Sequence, residues 1–440
     1  MTKLLVALTA LAMVAASCGD TAVSSTIPGA STSTTSPASP PPTSVRADLA
    51  RADSTDTTDA EIAALVAGDT AFARDLFAAA ASDGGNVIIS PYSIAAALTM
   101  TYAGARANTA TEMAAALHLA LTDDRIHAAR NELDWRITLP APQPESDDRE
   151  PFTIAVANSL WGHYDYPFLA SFLETLAVDY DAGLNLVDFV ASSEAARVAI
   201  NTWVEDATNG RIADLIPEGV ITSLTRLVIV NAIWFKANWA VPFDPDNTAD
   251  GPFALLDGST VVVPLMQQAG RFGYTTGDGY AAVLLPYAGD AAMRIILPDA
   301  GRFDAVRERF VAGDLGDLEF ADFQVDLTMP KWEFTSEVGL KQALQSLGMV
   351  AAFTEPSLAA GADFTGITEA RELFVHDVLH KAFIAVDEEG TEAAAATAVI
   401  IGVTSQPDTA TMTIDRPFLF TIEHNSTGEV LFVGQVVDPS

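Results

Sequence analysis

The sequence predicts an α+β fold, and three observations carry that expectation. Runs with helical spacing and runs dense in β-branched and aromatic residues are interspersed without regular alternation, which argues against a doubly wound parallel sheet. No repeat recurs at a fixed period. The chain of 440 residues is 49% hydrophobic and only 18% charged, enough apolar surface to close a sizeable core.

The elements follow in chain order. Residues 1–18 read as an export signal: Lys3 is the positive region, no charge interrupts Leu4 to Ala16, and Ala15-Ala16-Ser17-Cys18 ends it with small residues. The apolar run is too short to span a bilayer. Small residues directly before Cys18 match a bacterial lipobox, in which the cysteine becomes a lipid-bearing N-terminus; the other reading is an ordinary signal peptide. Between residues 21 and 45, 18 side chains are Ser, Thr or Pro, too few apolar groups for a core. Residues 19–60 are therefore expected to be a disordered tether reaching roughly 35–40 Å, with the folded body at 61–440.

Ile62, Leu65, Val66, Phe72, Leu76 and Phe77 recur at helical spacing. Ser90-Pro91 opens a second helix, with an N-cap side chain followed by a proline whose missing N–H costs nothing at that place. Thr109-Ala110-Thr111-Glu112 reads as a capping box ahead of Met113 and Leu117, and a further helix runs from Ser193 to Gly210. Strands are read at Phe152–Leu160, Arg226–Lys236, Phe323–Phe334, Leu373–Val386, Thr411–Glu423 and Val430–Val437. Val283–Tyr287 and Met293–Leu297 flank an Ala-Gly-Asp-Ala turn and read as a hairpin.

With 23 basic and 58 acidic side chains the formal net charge is −35, which opposes a sequence-independent grip on nucleic acid or on an anionic membrane surface. Cys18 is the only cysteine, so an intrachain disulfide, a multi-thiolate metal site and a cysteine nucleophile in the body are all excluded. There is no Gly-x-Ser-x-Gly elbow and no Walker loop. Asp244-Pro245-Asp246-Asn247 lacks the glycine and glutamate of a calcium loop. His376 and His380 could share zinc on a helix, but on the strand expected there they stand about 13 Å apart. Asn425-Ser426-Thr427 fits a glycosylation acceptor and, next to such an export signal, reads better as a turn. No catalytic residue, metal or cofactor is expected, and the chain is not read as an enzyme.

One segment stands out, Asp387-Glu388-Glu389-Gly390-Thr391-Glu392 followed by Ala393 to Ala396, Thr397 and Ala398 to Gln406. By propensity its alanines favour helix and Val399 to Val403 favour strand. Alone it could be a helix behind an acidic cap or an edge strand. Its neighbourhood is more specific. Asn86-Val87-Ile88-Ile89-Ser90-Pro91-Tyr92-Ser93 leads to Gly104-Ala105, Thr109 and Met113. Asn231-Ala232-Ile233-Trp234-Phe235-Lys236 leads to Trp239, Phe243 and Thr248. Asp363-Phe364-Thr365-Gly366-Ile367 precedes His380-Lys381-Ala382, and Asp415-Arg416-Pro417-Phe418-Leu419-Phe420 lies near the C-terminus. With these motifs in this order, the chain from about Glu61 onward resembles the serpin family of serine-protease inhibitors, and Gly390-Thr391-Glu392-Ala393-Ala394 resembles the hinge of its inhibitory members.

The resemblance implies a large mixed sheet, two smaller sheets, about nine helices and an exposed reactive loop at about 388–410. It implies suicide inhibition: a protease attacks the loop, forms an acyl-enzyme, and is trapped when the cut loop enters the main sheet as a strand. The residues suit that event. Thr391, Ala393, Ala395, Thr397, Val399 and Ile401 would share one face of a strand, small side chains entering first, and no proline interrupts Thr391 to Gln406. Gly390 and Glu388 stand at the hinge. Family spacing puts the scissile bond at Thr404–Ser405, with Val403 and Gly402 flanking it, within about two positions. From Ile384 to Asp415 there is no Lys, Arg, Phe, Tyr or Trp, so an elastase-like or subtilisin-like protease suits the loop better than one with an acidic or large aromatic pocket.

Ser90, Ser93, Asn231 and His380 match the family's polar latch beneath the opening sheet, although ordinary caps and core hydrogen bonds would look the same in sequence. Lys331, Glu388 and Trp239 match the place where the loop enters. The expected partner is a serine protease in a covalent 1:1 complex with a monomeric inhibitor; no nucleic acid or heparin is expected, and a membrane only through lipid on Cys18. The expected location is extracellular, secreted or anchored as a lipoprotein. The alternative is a non-inhibitory, serpin-like binding or structural surface protein.

Overall fold

The computed structural model describes residues 42–53, 56–139, 152–164, 166–391 and 408–440. Among them are eight helices: α1 (Asp59–Ala80), α2 (Pro91–Tyr102), α3 (Ala107–Ala116), α4 (Asp123–Thr138), α5 (Ala170–Tyr180), α6 (Ser193–Ala207), α7 (Phe303–Ala312) and α8 (Leu340–Ser346). Two of their starts are written locally. Thr58 and Glu61 form a reciprocal capping box on α1. Ser90 caps α2 by accepting from the Ser93 N–H, with Pro91 in the first turn.

One sheet has seven strands. They are β1 (Thr43–Val45), β3 (Thr153–His163), β4 (Leu184–Val187), β5 (Leu227–Asn238), β11 (Trp332–Gly339), β12 (Val378–Val386) and the two-residue β13 (Gly390–Thr391). Their order is β1-β4-β3-β5-β13-β12-β11. The other sheet holds β2 (Val87–Ile89), β6 (Ala249–Ala254), β7 (Thr260–Gly277), β8 (Tyr280–Pro286), β9 (Ala291–Pro298), β10 (Ala321–Pro330), β14 (Asp408–Thr413), β15 (Phe418–His424) and β16 (Val430–Val436). The two smaller sheets expected from the resemblance run together here through the 18-residue strand β7.

The seven-stranded sheet is covered on both faces. Val228, Val230 and Ala232 of β5 pack with Trp161 of β3 and with Ile200 and Val204 of α6. The opposite face of β5, through Ile233, Phe235 and Ala237, packs on Val283, Leu285 and Phe420 of the other sheet. That is why β5 reads as a continuous apolar run and not an alternating one. No helix among the described residues is long and apolar enough to cross a membrane.

Several expectations are corrected. Residues 43–60 are not all tether: Thr43–Val45 pair antiparallel with Leu184–Leu186, and α1 begins at Asp59. Their partners lie far away in sequence, so local composition could not show them. The predicted capping box at Thr109 is absent, because α3 already starts at Ala107. Instead Thr109 Oγ1 accepts from the Asp363 N–H, and Glu112 accepts from Val350 and Ala351. The run Phe323–Phe334 divides at Pro330–Lys331 into β10 and β11, which belong to different sheets. Thr411–Glu423 likewise divides into β14 and β15. The strand expected from Leu373 begins only at Val378, leaving His376 ahead of it.

Candidate functional site: a hinge seated in the sheet above a polar latch

The parallel strands β5 and β12 pair directly from Ile229–Val378 to Ile233–Ala382. Above that point they diverge, and β13 lies between them. Gly390 and Thr391 pair antiparallel with Asn238 and Ala237 on one side, and Thr391 with Val386 on the other. Gly390 and Thr391, expected as part of the hinge, therefore already occupy the mouth of a gap in the sheet. Gly390 is required there: it has a φ of +156°, and a Cβ would meet the Ala237 carbonyl oxygen at 2.0 Å.

The seat is built from several elements. The Thr391 side chain is buried, and its hydroxyl lies 2.7 Å from the Tyr287 hydroxyl. The Tyr287 ring stacks on Trp239 with centroids 4.5 Å apart. Trp239 donates its indole N–H to Asp387 O at 3.0 Å and its backbone N–H to Glu389 O at 2.8 Å. Glu388 is nearly buried and accepts from Lys331 Nζ at 2.6 Å and from Thr248 Oγ1 at 2.7 Å. Burial raises its pKa, but these two bonds, a backbone hydrogen bond and the Lys331 charge together outweigh that and hold the carboxyl below its usual range. Lys331, Glu388 and Trp239, predicted together, thus lie together. Tyr287 was read only as the end of a strand, and Asp387, although it opens the segment singled out, was given no role, since neither carries a signal apart from the hinge it holds.

Lower down, at the Asn231–His380 pair, polar side chains cross three strands. The His380 Nδ1 lies 2.5 Å from Asn231 Oδ1, and its Nε2 accepts from the Ser90 N–H at 3.2 Å. That second contact makes Nε2 the acceptor and Nδ1 the protonated nitrogen. Asn231 Nδ2 donates to Ser93 Oγ at 2.7 Å and to Asn158 Oδ1 at 2.5 Å. Asn158 returns a bond to Ser93 O at 3.0 Å. Ser90, Ser93, Asn231 and His380 are all buried, and burial pushes the His380 pKa down to about 3, so the ring is neutral. Asn158 belongs to this group although the sequence reading placed it only within the strand Phe152–Leu160. Its position opposite Asn231 is set by register across the sheet, which sequence does not display.

Ala393, Ala395, Gly402, Val403, Thr404 and Ser405, with Cys18 at the other end, lie outside the described residues. Among the described residues no group of three or more His, Cys, Asp or Glu side chains could hold a metal ion.

The family model described as Serpin (serine protease inhibitor) matches residues 67–439. The chain is a serpin. It is 38% identical over 374 residues to an uncharacterized serpin-like protein of Thermococcus kodakarensis, covering 84% of each chain. It is 36% identical to the leukocyte elastase inhibitor of Sus scrofa, over 85% of this serpin and 99% of that protein. Among solved structures, a highly specific serpin of the insect Tenebrio molitor superposes with a TM-score of 0.76 at 27% identity, covering 88% of this chain and all of the other.

Proposed function

We propose that this serpin is an irreversible suicide inhibitor of serine proteases. The observation that carries the reading is the hinge strand β13, paired on both sides at the top of the β5–β12 gap. It is the first rung of a longer insertion. Continued in that register, Ala393 falls between Phe235 and Ile384, Ala395 between Ile233 and Ala382, and Thr397 between Asn231 and His380. Alternate residues share a face, so Thr397 follows Thr391 toward the core. Its hydroxyl arrives where the Asn231–His380 bond must part, and offers both groups a new partner.

The steps are those that the family resemblance implies. The protease serine attacks the carbonyl of Thr404, the bond to Ser405 breaks, and the new amine of Ser405 leaves on the segment that runs through Gln406 into β14. The freed N-terminal half of the loop, ester-linked to the protease, enters between β5 and β12 and carries the enzyme away before water reaches the ester. The absence of cationic and aromatic residues from Ile384 to Asp415 favours an elastase-like or subtilisin-like target. The elastase inhibitors among the relatives point the same way. The inhibitor acts as a monomer in a 1:1 complex, outside the cell, exported by residues 1–18 and then either held at the surface by lipid on Cys18 or secreted.

Incubation of the full mature chain with pancreatic elastase, subtilisin or trypsin, followed by denaturing gels and mass analysis of the released peptide, tests this. The expected result is a band at the summed mass with elastase or subtilisin, and a peptide beginning within two residues of Ser405. Loop cleavage with full protease activity and no such band would instead favour a non-inhibitory binding protein.

A further inference from the structure

Residues 43–52 lie outside the 67–439 family match, yet they are fastened to the body at both ends. Thr43–Val45 form the outermost strand of the seven-stranded sheet, on β4. Arg46 donates to the Asp181 carbonyl and carboxylate at 2.8 and 2.5 Å, just beyond α5. Ala52 donates to Val178 O of α5 at 2.9 Å, and its own carbonyl accepts from Asn131 Nδ2 and Trp135 Nε1 of α4. Arg51 bonds Asn131 Oδ1 and Asp134 Oδ2, both at 2.6 Å, with its guanidinium 4.5 Å from the centre of the Trp135 ring. Arg46 and Arg51 are the only basic residues between Lys3 and Arg74, and both are engaged.

We propose that this strap is a brake on the opening of the seven-stranded sheet. The inference rests on the reading that the loop enters between β5 and β12. To admit a full strand, the pairs from Ile229–Val378 to Ile233–Ala382 must separate by one further strand spacing, about 4.8 Å. The block β4-β3-β5 then has to slide over the helices beneath it. The strap joins the outer edge of that block to α4. Helix α4 cannot follow, because Arg130 and Asp69 make a buried ion pair between α4 and α1, at 2.5 and 2.9 Å. The carboxylate of Asp134 that receives Arg51 also accepts from Tyr92 on α2 at 2.5 Å. Tyr92 immediately precedes Ser93 of the latch, so one acidic side chain fastens the strap to the same support that fixes the latch.

The test uses the full mature chain and three substitutions. Arg51→Ala removes the fork, Arg51→Lys keeps the charge without it, and Ser44→Pro removes a donor in the middle of β1. Hydrogen exchange is read at Ile229–Ile233 and Val378–Ala382. Arg51→Ala and Ser44→Pro are expected to speed exchange there about tenfold, Arg51→Lys by less, with the β15–β16 amides unchanged. Unchanged exchange at these pairs, alongside lost protection in β4, would overturn the brake. If Ser44→Pro fails to fold, the two Arg51 variants decide. Exchange reports sheet opening whether or not a protease is trapped, so a missing protease complex and a missing brake are separate results.

Discussion

His380 is buried, neutral and bonded through both ring nitrogens, so its protonation must wait until the sheet opens or the chain unfolds. The sign follows from the depressed pKa. Above pH 6.5 the ring is neutral in both folded and unfolded chains, and the contribution to stability is whole. As pH falls from 6.5 toward about 3 the unfolded chain takes up a proton that the folded one refuses. On the order of 4 kcal/mol is lost across that window. Urea unfolding at pH 8 and pH 4 checks this: His380→Gln is expected to start less stable and to lose less between the two values. Equal losses in both proteins would count against a neutral latch histidine. Glu429 behaves in the opposite sense. Burial, and then its neighbour Asp69, push its carboxyl well above the ordinary value, so the contribution of Glu429 to stability falls as pH rises above about 4.5. Glu429→Gln is expected to stabilise the protein by about 1 to 3 kcal/mol at pH 7 and to make little difference at pH 4, as read by denaturant titration.

At the scale of elements, the hinge strand is only two residues long, and its seating depends on side chains from other elements. Tyr287→Phe keeps the ring stacked on Trp239 and removes only the hydroxyl that meets Thr391. The expected cost is about 1 kcal/mol, seen as roughly fivefold faster amide exchange at Gly390 and Thr391, with the latch amides unaffected. Equal acceleration at the latch would mean that the two sites open as one. Much of this architecture was legible in sequence because its causes are local: Ser90-Pro91 writes a helix start, and the β-branched and aromatic run at Arg226–Lys236 announces a strand. Long-range causes were not legible. Pro330–Lys331 interrupts what reads as one strand because β10 and β11 serve different sheets. Thr109 and Glu112 resemble a cap but spend their side chains on the distant backbone of Asp363, Val350 and Ala351. The strap was hidden for the same reason, and so was the place of Asn158 in the latch. Lys331, Glu388 and Trp239 were found only through family resemblance; 57 positions separate Lys331 from Glu388, and nothing in either neighbourhood names the other.

For the whole molecule, the uncut state is read as held by a barrier and not by the depth of its own minimum. Its gap accepts two hinge residues and then closes at a buried polar latch, while the strap ties the outer sheet edge to the helices. On the proposed inhibitory reading, cutting the loop would remove the covalent restraint on insertion, and the sheet would then take up a complete strand. About a dozen new backbone bonds at about 1 kcal/mol each would accompany it. The most direct test is thermal unfolding of the full mature chain before and after a single cut in the loop by a trace of subtilisin, with the protease then inactivated. A strand that enters between β5 and β12 predicts a midpoint raised by on the order of 20 °C. An unchanged or lowered midpoint, with the cut confirmed by mass, would contradict insertion and with it the inhibitory account.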